Sequence, residues 1–358
     1  MKILDKYIIK KFLGTFVYTI GLIIVIAIVF DISEKLDDFF EAKVSFSQIA
    51  FDYYLNFIPY FVNQFSPLFI FISVIFFTAQ LANRTEIIAI LNAGVSFKRL
   101  LMPYLFCSAL LALFSFYLGS YVIPKANERR LDFENKYIRN PYELRVRNIH
   151  RQIGPGEFIY FESYSNREKM GYLFSLEKIK DKNVTYKLSA DRAVWDSVGN
   201  KWLLENYFER QIGTNKEIFR QGMRLDTVFS FTHAEFATRD NVIETMSPTE
   251  LDKYIEEQKL KGTGKIVWAE LKKHQRISYP FSAFILTIIG VAIANRKIRG
   301  GIGLQLVAGI LLSFSYIMFM QISTTFATNS DLPAFIAVWI PNIIFMIIAV
   351  WILRFAQK

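Results

Sequence analysis

The sequence predicts a membrane protein with six transmembrane α-helices and an all-β, jellyroll-like domain inserted between helices 3 and 4. The first observation behind this fold class is composition. Apolar residues make up 53% of the 358-residue chain and charged residues only 21%, whereas about a quarter of the residues in soluble domains are charged. The second observation is a set of long uncharged apolar runs, and the third is one long polar stretch with strand-like alternation.

The apolar runs are long enough to cross a bilayer, whose hydrocarbon core needs about 20 apolar residues in a helix. None of them contains Asp, Glu, Lys or Arg. They comprise residues 12–30, 54–80, 100–123, 277–294, 302–326 and 333–353. The first run follows a basic N-terminus, but it is longer than a typical signal-peptide core and Val29-Phe30-Asp31 offers no small-residue cleavage site. It is therefore predicted to be an uncleaved first span.

Basic residues indicate how the spans are oriented, because Lys and Arg accumulate in short cytoplasmic loops. With the N-terminus in the cytoplasm, the inner segments 1–11, 81–99, 295–301 and 354–358 hold twelve basic and two acidic residues. The outer loop 31–53 holds two basic and six acidic residues. Both termini are thus predicted to be cytoplasmic, and the net charge of +10 reflects topology rather than a nucleic-acid partner.

The long polar stretch, residues 124–272, is predicted to be an outer domain, with residues 1–123 and 273–358 forming the two membrane parts. After a charged helix to about residue 139, residues 142–237 are predicted to be strands, with turns at 154–156, 181–183, 199–200 and 213–215. Alternation predicts two inward-facing sets, which are Val184, Tyr186, Leu188 and Ala190, and Met223, Leu225, Thr227, Phe229 and Phe231. Ser247-Pro248-Thr249-Glu250 predicts the start of a helix that runs to about residue 261.

The sequence contains no motif for catalysis or for a bound cofactor. Gly262-Thr263-Gly264-Lys265 lacks the upstream glycine of a P-loop, and neither H-E-x-x-H nor G-x-S-x-G occurs. Cys107 is the single cysteine, and three widely spaced histidines do not form a metal site. We therefore expect no catalytic residue, no metal and no cofactor of its own. Spans without ionisable residues disfavour an ion-driven carrier, so the energy for any transport is expected from a partner.

A short cytoplasmic helix is predicted at about residues 83–94, between spans 2 and 3. Asn83 is placed to cap it, Glu86 then takes its third position, and Gly94 suits its end. One face of this helix carries Ile87, Ile90, Leu91 and Gly94. That face can pack on the membrane, on the protein itself or in a groove of a partner. Glu86 can be a capping-box carboxylate, a charge offered to a partner's arginine, or both.

Five blocks spread from end to end carry a family resemblance. They are Leu4-Asp5-Lys6-Tyr7-Ile8, residues 86–94 with Ser96 and Pro103, Ile123-Pro124-Lys125-Ala126-Asn127, Arg299-Gly300-Gly301-Ile302-Gly303 and Trp339-Ile340-Pro341-Asn342. In order and spacing the chain resembles the LptF/LptG family of permeases, the membrane subunits of the lipopolysaccharide-export ABC transporter. The β domain resembles the family by position and size more than by sequence.

The resemblance implies six spans with a periplasmic β-jellyroll, in the inner membrane of a Gram-negative bacterium. It implies that the chain is a permease and not an enzyme. This permease would pair with a second permease or with a second copy of itself, and the pair would extract lipopolysaccharide from the outer leaflet of the inner membrane. A cytoplasmic ATPase dimer, using ATP and Mg, binds the helices after the second spans, and the jellyrolls pass the lipid to a periplasmic bridge. Glu86 matches a family glutamate that faces an ATPase arginine. The predicted coupling residues are Glu86, Ile87, Ile90, Leu91 and Gly94.

The same resemblance suggests where lipid binds. Family members can carry basic residues near the outer end of span 1, where this chain has only Lys35 among several acids. The other candidates for lipid phosphates are Arg129, Arg130, Lys272, Lys273 and Arg276, and an interfacial or ion-paired role is the alternative for each. In the β domain, Tyr186, Leu225 and Phe229 are candidates for acyl-chain contacts, and their alternative is to fill a closed core.

Two functions of other classes compete with lipid export. A membrane-anchored scaffold would use its β domain to bind partners, and co-purification with an ATP-hydrolysing subunit separates it from the permease. A secondary lipid carrier would require an ion gradient rather than ATP.

Overall fold

The computed structural model describes residues 3–138, 145–180, 183–213, 216–233, 236, 240–261, 265–296, 301–330 and 332–356. The chain forms two compact units. A helical unit comprises Met1–Ile138, Glu244–Thr249 and Val267–Lys358, and a β unit comprises Arg139–Ile243 and Glu250–Ile266. The β unit therefore interrupts the sequence of the helical unit.

The helices account for most of the chain. In order they are α1 (Ile3–Glu41), α2 (Phe46–Gln48), α3 (Leu55–Asn83), α4 (Glu86–Asn92), α5 (Phe97–Tyr117), α6 (Ile123–Phe133), α7 (Pro248–Lys261), α8 (Lys265–Ala294), α9 (Gly301–Asn329) and α10 (Ala334–Phe355). Three π-helical turns, Ile49–Tyr54, Leu118–Val122 and Glu134–Ile138, continue neighbouring helices. Six helical stretches of the described chain are long and apolar enough to cross a membrane, which confirms the six predicted spans.

Helix α3 lies at the centre of the helical unit. Its residues Ile70, Val74 and Phe77 belong to a core shared with α1, α4 and α5. Phe71 and Ile75, together with Ala79, belong to a second core shared with α8, α9 and α10. Because both sides of this part of α3 are covered by protein, residues 67–77 are apolar on all sides except at Ser73, as expected of a buried helix.

The β unit contains one six-stranded antiparallel sheet among its described residues. Its strands are β1 (Arg145–Gly154), β2 (Glu157–Ser165), β3 (Met170–Lys180), β4 (Asn183–Asp196), β5 (Lys201–Ile212) and β6 (Glu217–Thr227). An all-β domain between spanning helices 3 and 4 is thereby confirmed. Each strand pairs with its neighbours in sequence, so these six strands form a meander without the crossover connection of a jellyroll.

The core of the β unit lies on one face of the sheet and is rich in aromatic side chains. Phe161, Phe174 and Trp202 are fully buried there. Phe231 and Phe236 pack on them from beyond the last strand, and the Trp202 indole N–H donates to the Phe231 carbonyl at 3.1 Å. The chain after β6 thus covers the sheet face.

The predicted strand through residues 223–231 is partly wrong. Strand β6 ends at Thr227, and Phe229 and Phe231 lie beyond it, against the core. Met223 shares the predicted face with Leu225, yet its side chain is 83% exposed. Alternation places side chains on one face, but the core covers only part of that face, so Leu225 packs and Met223 does not.

Two predicted turns join strands as expected, at residues 154–156 and 199–200. Gly156 has φ +75, and a Cβ there would lie 2.5 Å from the Ile179 carbonyl oxygen. This turn therefore needs glycine for both its conformation and its close approach. Helix α7 begins at Pro248, as predicted. Residues 181–182, 214–215, 262–264 and 299–300, parts of other predicted motifs, lie outside the described residues.

Candidate coupling and lipid-binding sites

The short helix α4 begins later than predicted. Asn83 is the last residue of α3, so it does not cap α4, and Glu86 is the first helical residue rather than the third. Thr85 occupies the cap position with φ +59 and makes no side-chain capping hydrogen bond. The capping-box interpretation of Glu86 is therefore wrong, because α3 extends to the residue that would have made the cap.

The end of α4 agrees with the prediction. Gly94 has φ +85 and its N–H donates to the Leu91 carbonyl at 3.0 Å. The Val95 N–H donates to the Ile90 carbonyl at 3.4 Å. These two bonds form a Schellman motif, in which a glycine in the left-handed region ends the helix.

Three of the four residues on the predicted apolar face of α4 pack on the protein itself, and the fourth, Gly94, is exposed. Ile87 is 1% exposed, and Ile90 and Leu91 are half-buried against the same core of α1, α3 and α5. The exposed face carries Ile88, which is 42% exposed, with Ala89, Asn92 and Ala93. Sequence periodicity selected the more apolar face, whereas the face available to a partner is the one that contains Ile88.

Glu86 is bound by a residue of the first helix. The Tyr7 hydroxyl donates to Glu86 Oε2 at 2.9 Å. Nearby, Arg99 Nη2 lies 2.7 Å from Asp5 Oδ2, and Asp5 is only 6% exposed. Glu86 itself forms no ion pair with any residue that the structure describes. Tyr7 and Asp5 belong to the N-terminal block Leu4–Ile8, but periodicity gave no signal that they meet the loops after α3.

Lys35, the candidate near the C-terminal end of α1, is already paired. Its Nζ lies 2.5 Å from Asp31 Oδ1, hydrogen-bonds the Tyr53 hydroxyl and sits 4.7 Å from the centre of that ring. Asp31 Oδ2 also accepts from the Tyr54 hydroxyl at 2.9 Å. Tyr53 and Tyr54 are buried in the π-helical turn Ile49–Tyr54. The charge of Lys35 is thus compensated within the protein.

The other basic candidates divide into two groups. Lys272 and Arg276 line a cavity of about 320 Å³ in the helical unit. Lys272 pairs with Glu244 at 2.7 Å, and Arg276 donates to the Met246 carbonyl at 2.7 Å. Arg129, Arg130 and Lys273 do not line it. Arg130 is buried, 3.7 Å from Glu134, with its guanidinium 4.7 Å from the centre of the Tyr60 ring, whereas Arg129 and Lys273 are exposed.

The lining of this cavity is polar for a membrane helix bundle. Besides the two cations it contains amide, hydroxyl and aromatic side chains, namely Tyr60, Asn63, Gln64, Ser115, Asn127, Trp268, Gln275, Tyr279, Gln321 and Thr324. Amides and hydroxyls donate and accept hydrogen bonds, and Arg and Lys bind phosphate. The cavity also contains the Glu244 carboxylate, which is paired with Lys272. It is therefore suited to a polar headgroup, with Arg276 as the cation that has no carboxylate partner among the described ion pairs. No cluster of metal-binding side chains occurs among the described residues.

Two of the three β-domain candidates line a second cavity, of about 780 Å³, within the β unit. They are Tyr186 and Phe229, and Ile153, Leu176 and Ile218 add apolar surface. Burial, with a hydrogen bond to Glu209, raises the pKa of Tyr186 to about 12. Leu225 packs against the aromatic core and does not line the cavity.

The matches to known proteins extend over both structural units. The family model described as "Lipopolysaccharide export system permease LptF/LptG" matches residues 6–354. The lipopolysaccharide export system permease protein LptG of Haemophilus influenzae is 20% identical over 352 residues, which are 98% of this chain and 98% of that protein. The similarity therefore extends over the spans and the inserted β domain together.

Proposed function

The chain belongs to the LptF/LptG family of lipopolysaccharide export permeases, and from this membership we propose that it is a permease subunit of an ABC transporter. In this role it extracts lipopolysaccharide from the inner membrane and passes it to a periplasmic bridge that leads to the outer membrane. The observation that carries the proposal is the family match over residues 6–354, which spans both structural units.

Six spanning helices and the family make the chain a multi-pass inner-membrane protein. We propose that both termini are cytoplasmic and that the β domain is periplasmic, because the basic residues concentrate in the segments that this orientation places inside. We further propose that a second permease, or a second copy of this chain, completes the membrane part.

The energy is proposed to come from a cytoplasmic ATPase dimer that uses ATP and Mg, since no P-loop occurs in the chain. Two features support α4 as the docking element. Its exposed face carries Ile88, and Glu86 has one carboxylate oxygen bound by Tyr7 and no ion pair among the described residues. An arginine of the ATPase is the expected partner of Glu86.

Lipid is proposed to contact two places. Lys272 and Arg276 suit the phosphorylated headgroup, because they line a cavity rich in amides and hydroxyls. Tyr186 and Phe229 suit acyl chains, because they line the larger cavity of the β unit. Arg276 is the stronger basic candidate, because Lys272 is paired with Glu244 and Lys35 is paired with Asp31.

The proposal is tested by reconstitution. The chain, its partner permease and the ATPase are placed in proteoliposomes with lipopolysaccharide and a soluble bridge protein, and lipid transfer is followed with and without ATP. A photocrosslinking residue at Phe229 should capture lipopolysaccharide only when ATP is hydrolysed. The matched control is Met223, which lies on β6, six residues before Phe229, and is 83% exposed. Absence of ATP-dependent transfer, or equal capture at both positions without ATP, would contradict the proposal.

A further inference from the structure

Helix α1 is held to the helical unit mainly at its two ends. Every side chain from residue 17 to residue 30 is exposed or half-buried. At the inner end Ile8, Phe12 and Phe16 are buried, and at the outer end Asp31 and Lys35 meet the tyrosines of the π-helical turn Ile49–Tyr54. The middle of α1 is thus covered less by the protein than its ends are, with half-buried side chains such as Ile20, Ile23 and Ile28 packed on two cores. Its fully buried contacts lie towards its ends.

The inner end contacts the segment that carries α4. The Tyr7 hydroxyl donates to Glu86 Oε2 at 2.9 Å. Asp5 pairs at 2.7 Å with Arg99, which lies in the first turn of α5, the helix that follows α4. Ile8 and Phe12 share one core with Ile87. Polar and apolar contacts therefore join the first turns of α1 to α4 and to the start of α5.

We propose that Tyr7 is a positioning residue that joins α1 to Glu86, so that α1 follows α4 when the ATPase moves it. The inference rests on the proposed function and adds a residue to it. A carboxylate has two acceptor oxygens. The Tyr7 hydroxyl holds Oε2, which orients Glu86 and leaves Oε1 for a cation of the partner. Without that hydroxyl, a movement of α4 that is driven by the ATPase is passed on less completely to α1.

The test is Tyr7→Phe in the complete reconstituted transporter, because this change removes only the hydroxyl. The measured quantity is lipid released per ATP hydrolysed. A hydrogen bond to a charged group corresponds to a factor of about ten in an equilibrium, so we expect release per ATP to fall about tenfold. The rate of ATP hydrolysis and the yield of assembled complex should stay within twofold of wild type. A purely structural role of Tyr7 would instead lower the yield and the hydrolysis rate together with lipid release.

The double variant Tyr7→Phe/Glu86→Ala separates a role of Tyr7 through Glu86 from two independent roles, because alanine, unlike glutamine, cannot accept from the Tyr7 hydroxyl. If Tyr7 acts through Glu86, the double variant is no worse than the poorer single variant, within about twofold. Tyr18→Phe is the matched control, since Tyr18 lies on the same helix and is 72% exposed. It should release lipid like the wild type.

Two results would overturn the inference while leaving the proposed function intact. One is release per ATP by Tyr7→Phe within twofold of wild type. The other is a double variant whose defect equals the product of the single defects. A wild-type transporter that shows no ATP-driven release would overturn the proposed function and this inference together.

Discussion

At the scale of single residues, the role of Glu86 becomes clear only when its neighbours in the folded chain are known. It is the first residue of α4, so it does not complete a capping box with Asn83. Its Oε2 accepts from Tyr7, and no ion pair is found for it in the described chain. A half-buried carboxylate that one neutral donor holds in place is ready to receive a cation.

Glu86→Gln should leave the fold intact, because the glutamine carbonyl still accepts from the Tyr7 hydroxyl. If the glutamate meets a desolvated arginine of the ATPase, loss of the charge costs about 2–5 kcal/mol of association, since the arginine is left unpaired. The measurement is co-purification of the ATPase with the membrane complex. Glu41→Gln, an exposed acid on α1, is the control. Normal ATPase recovery with Glu86→Gln would exclude this contact.

Asn342 is a second residue whose role is explicit in the structure. Its Oδ1 accepts from the Tyr316 hydroxyl at 2.9 Å, and its Nδ2 donates to the Ser278 carbonyl at 2.9 Å. It therefore joins α10 to both α9 and α8. Interhelical hydrogen bonds in membranes average about 0.6 kcal/mol and reach about 1.7 kcal/mol.

Asn342→Leu should therefore destabilise the helical unit by about 1 kcal/mol, because Tyr316 and the Ser278 carbonyl lose their partner. The check is the thermal midpoint of the purified chain in detergent. Ile343→Leu is the matched control, since the neighbouring side chain is exposed. An unchanged midpoint for Asn342→Leu would mean that these contacts add no net stability.

At the scale of elements, the hairpin β5–β6 is held by exposed ion pairs as well as by its ladder. Lys201 Nζ lies 2.5 Å from Asp226 Oδ2, and Arg210 Nη2 lies 2.9 Å from Glu217 Oε1. The hydrogen bond from Lys201 lowers the pKa of Asp226, and the hydrogen bond from Arg210 lowers the pKa of Glu217. Both carboxylates are more acidic in the folded strand than in an unfolded chain.

A lowered folded-state pKa stabilises the fold above the unfolded value of about 4, and this contribution is lost as the pH falls through the folded pKa. We therefore expect the β unit to unfold at lower urea concentration at pH 3 than at pH 7. Fluorescence of Trp195 and Trp202 reports this when the other tryptophans, Trp268, Trp339 and Trp351, are replaced by Phe. The variant Glu217→Gln/Asp226→Asn should show a smaller difference between the two pH values. An identical difference would exclude these pairs as the cause.

In helix α4, tertiary packing rather than sequence periodicity determines which face remains exposed. Its strongest apolar periodicity faces the protein core, with Ile87 buried, and this leaves Ile88 on the outer face. An amphipathic helix buries its most apolar face on its own chain first, because that contact is always available. The surface offered to a partner is then the less apolar face.

At the scale of the whole molecule, orientation follows from charge. The proposed cytoplasmic segments hold twelve basic residues against two acids, while the loop 31–53 holds two against six. Lys and Arg are retained on the cytoplasmic side during insertion. The loop with α4 and the β unit should therefore lie on opposite sides of the membrane.

Single cysteines test this arrangement. Cys107 is buried and is the only native cysteine, so Cys107→Ala provides the background. Val198→Cys, at a position 98% exposed in the turn after β4, should react with an impermeant maleimide applied to spheroplasts. Ala93→Cys, after α4, should react only after the membrane is permeabilised. The reverse pattern would invert the proposed orientation.

Much of the architecture is readable from local properties of the chain. Six uncharged runs predicted six spans, and alternation with turn residues predicted an all-β insertion, because run length and period depend only on neighbours in sequence. Gly94 predicted the end of α4 for the same reason, since the left-handed conformation there favours glycine. The family blocks allowed the function to be anticipated, because their spacing extends over the whole chain.

Contacts between residues that are distant in sequence could not be predicted from such patterns. Glu86 meets Tyr7 across 79 positions, Lys35 is compensated by Asp31 and Tyr53, and Leu225 is in the core while Met223 is not. Each outcome depends on which surfaces of separate elements come together. Sequence period specifies the face of an element, but only the packed arrangement decides what covers that face and which charges are already paired.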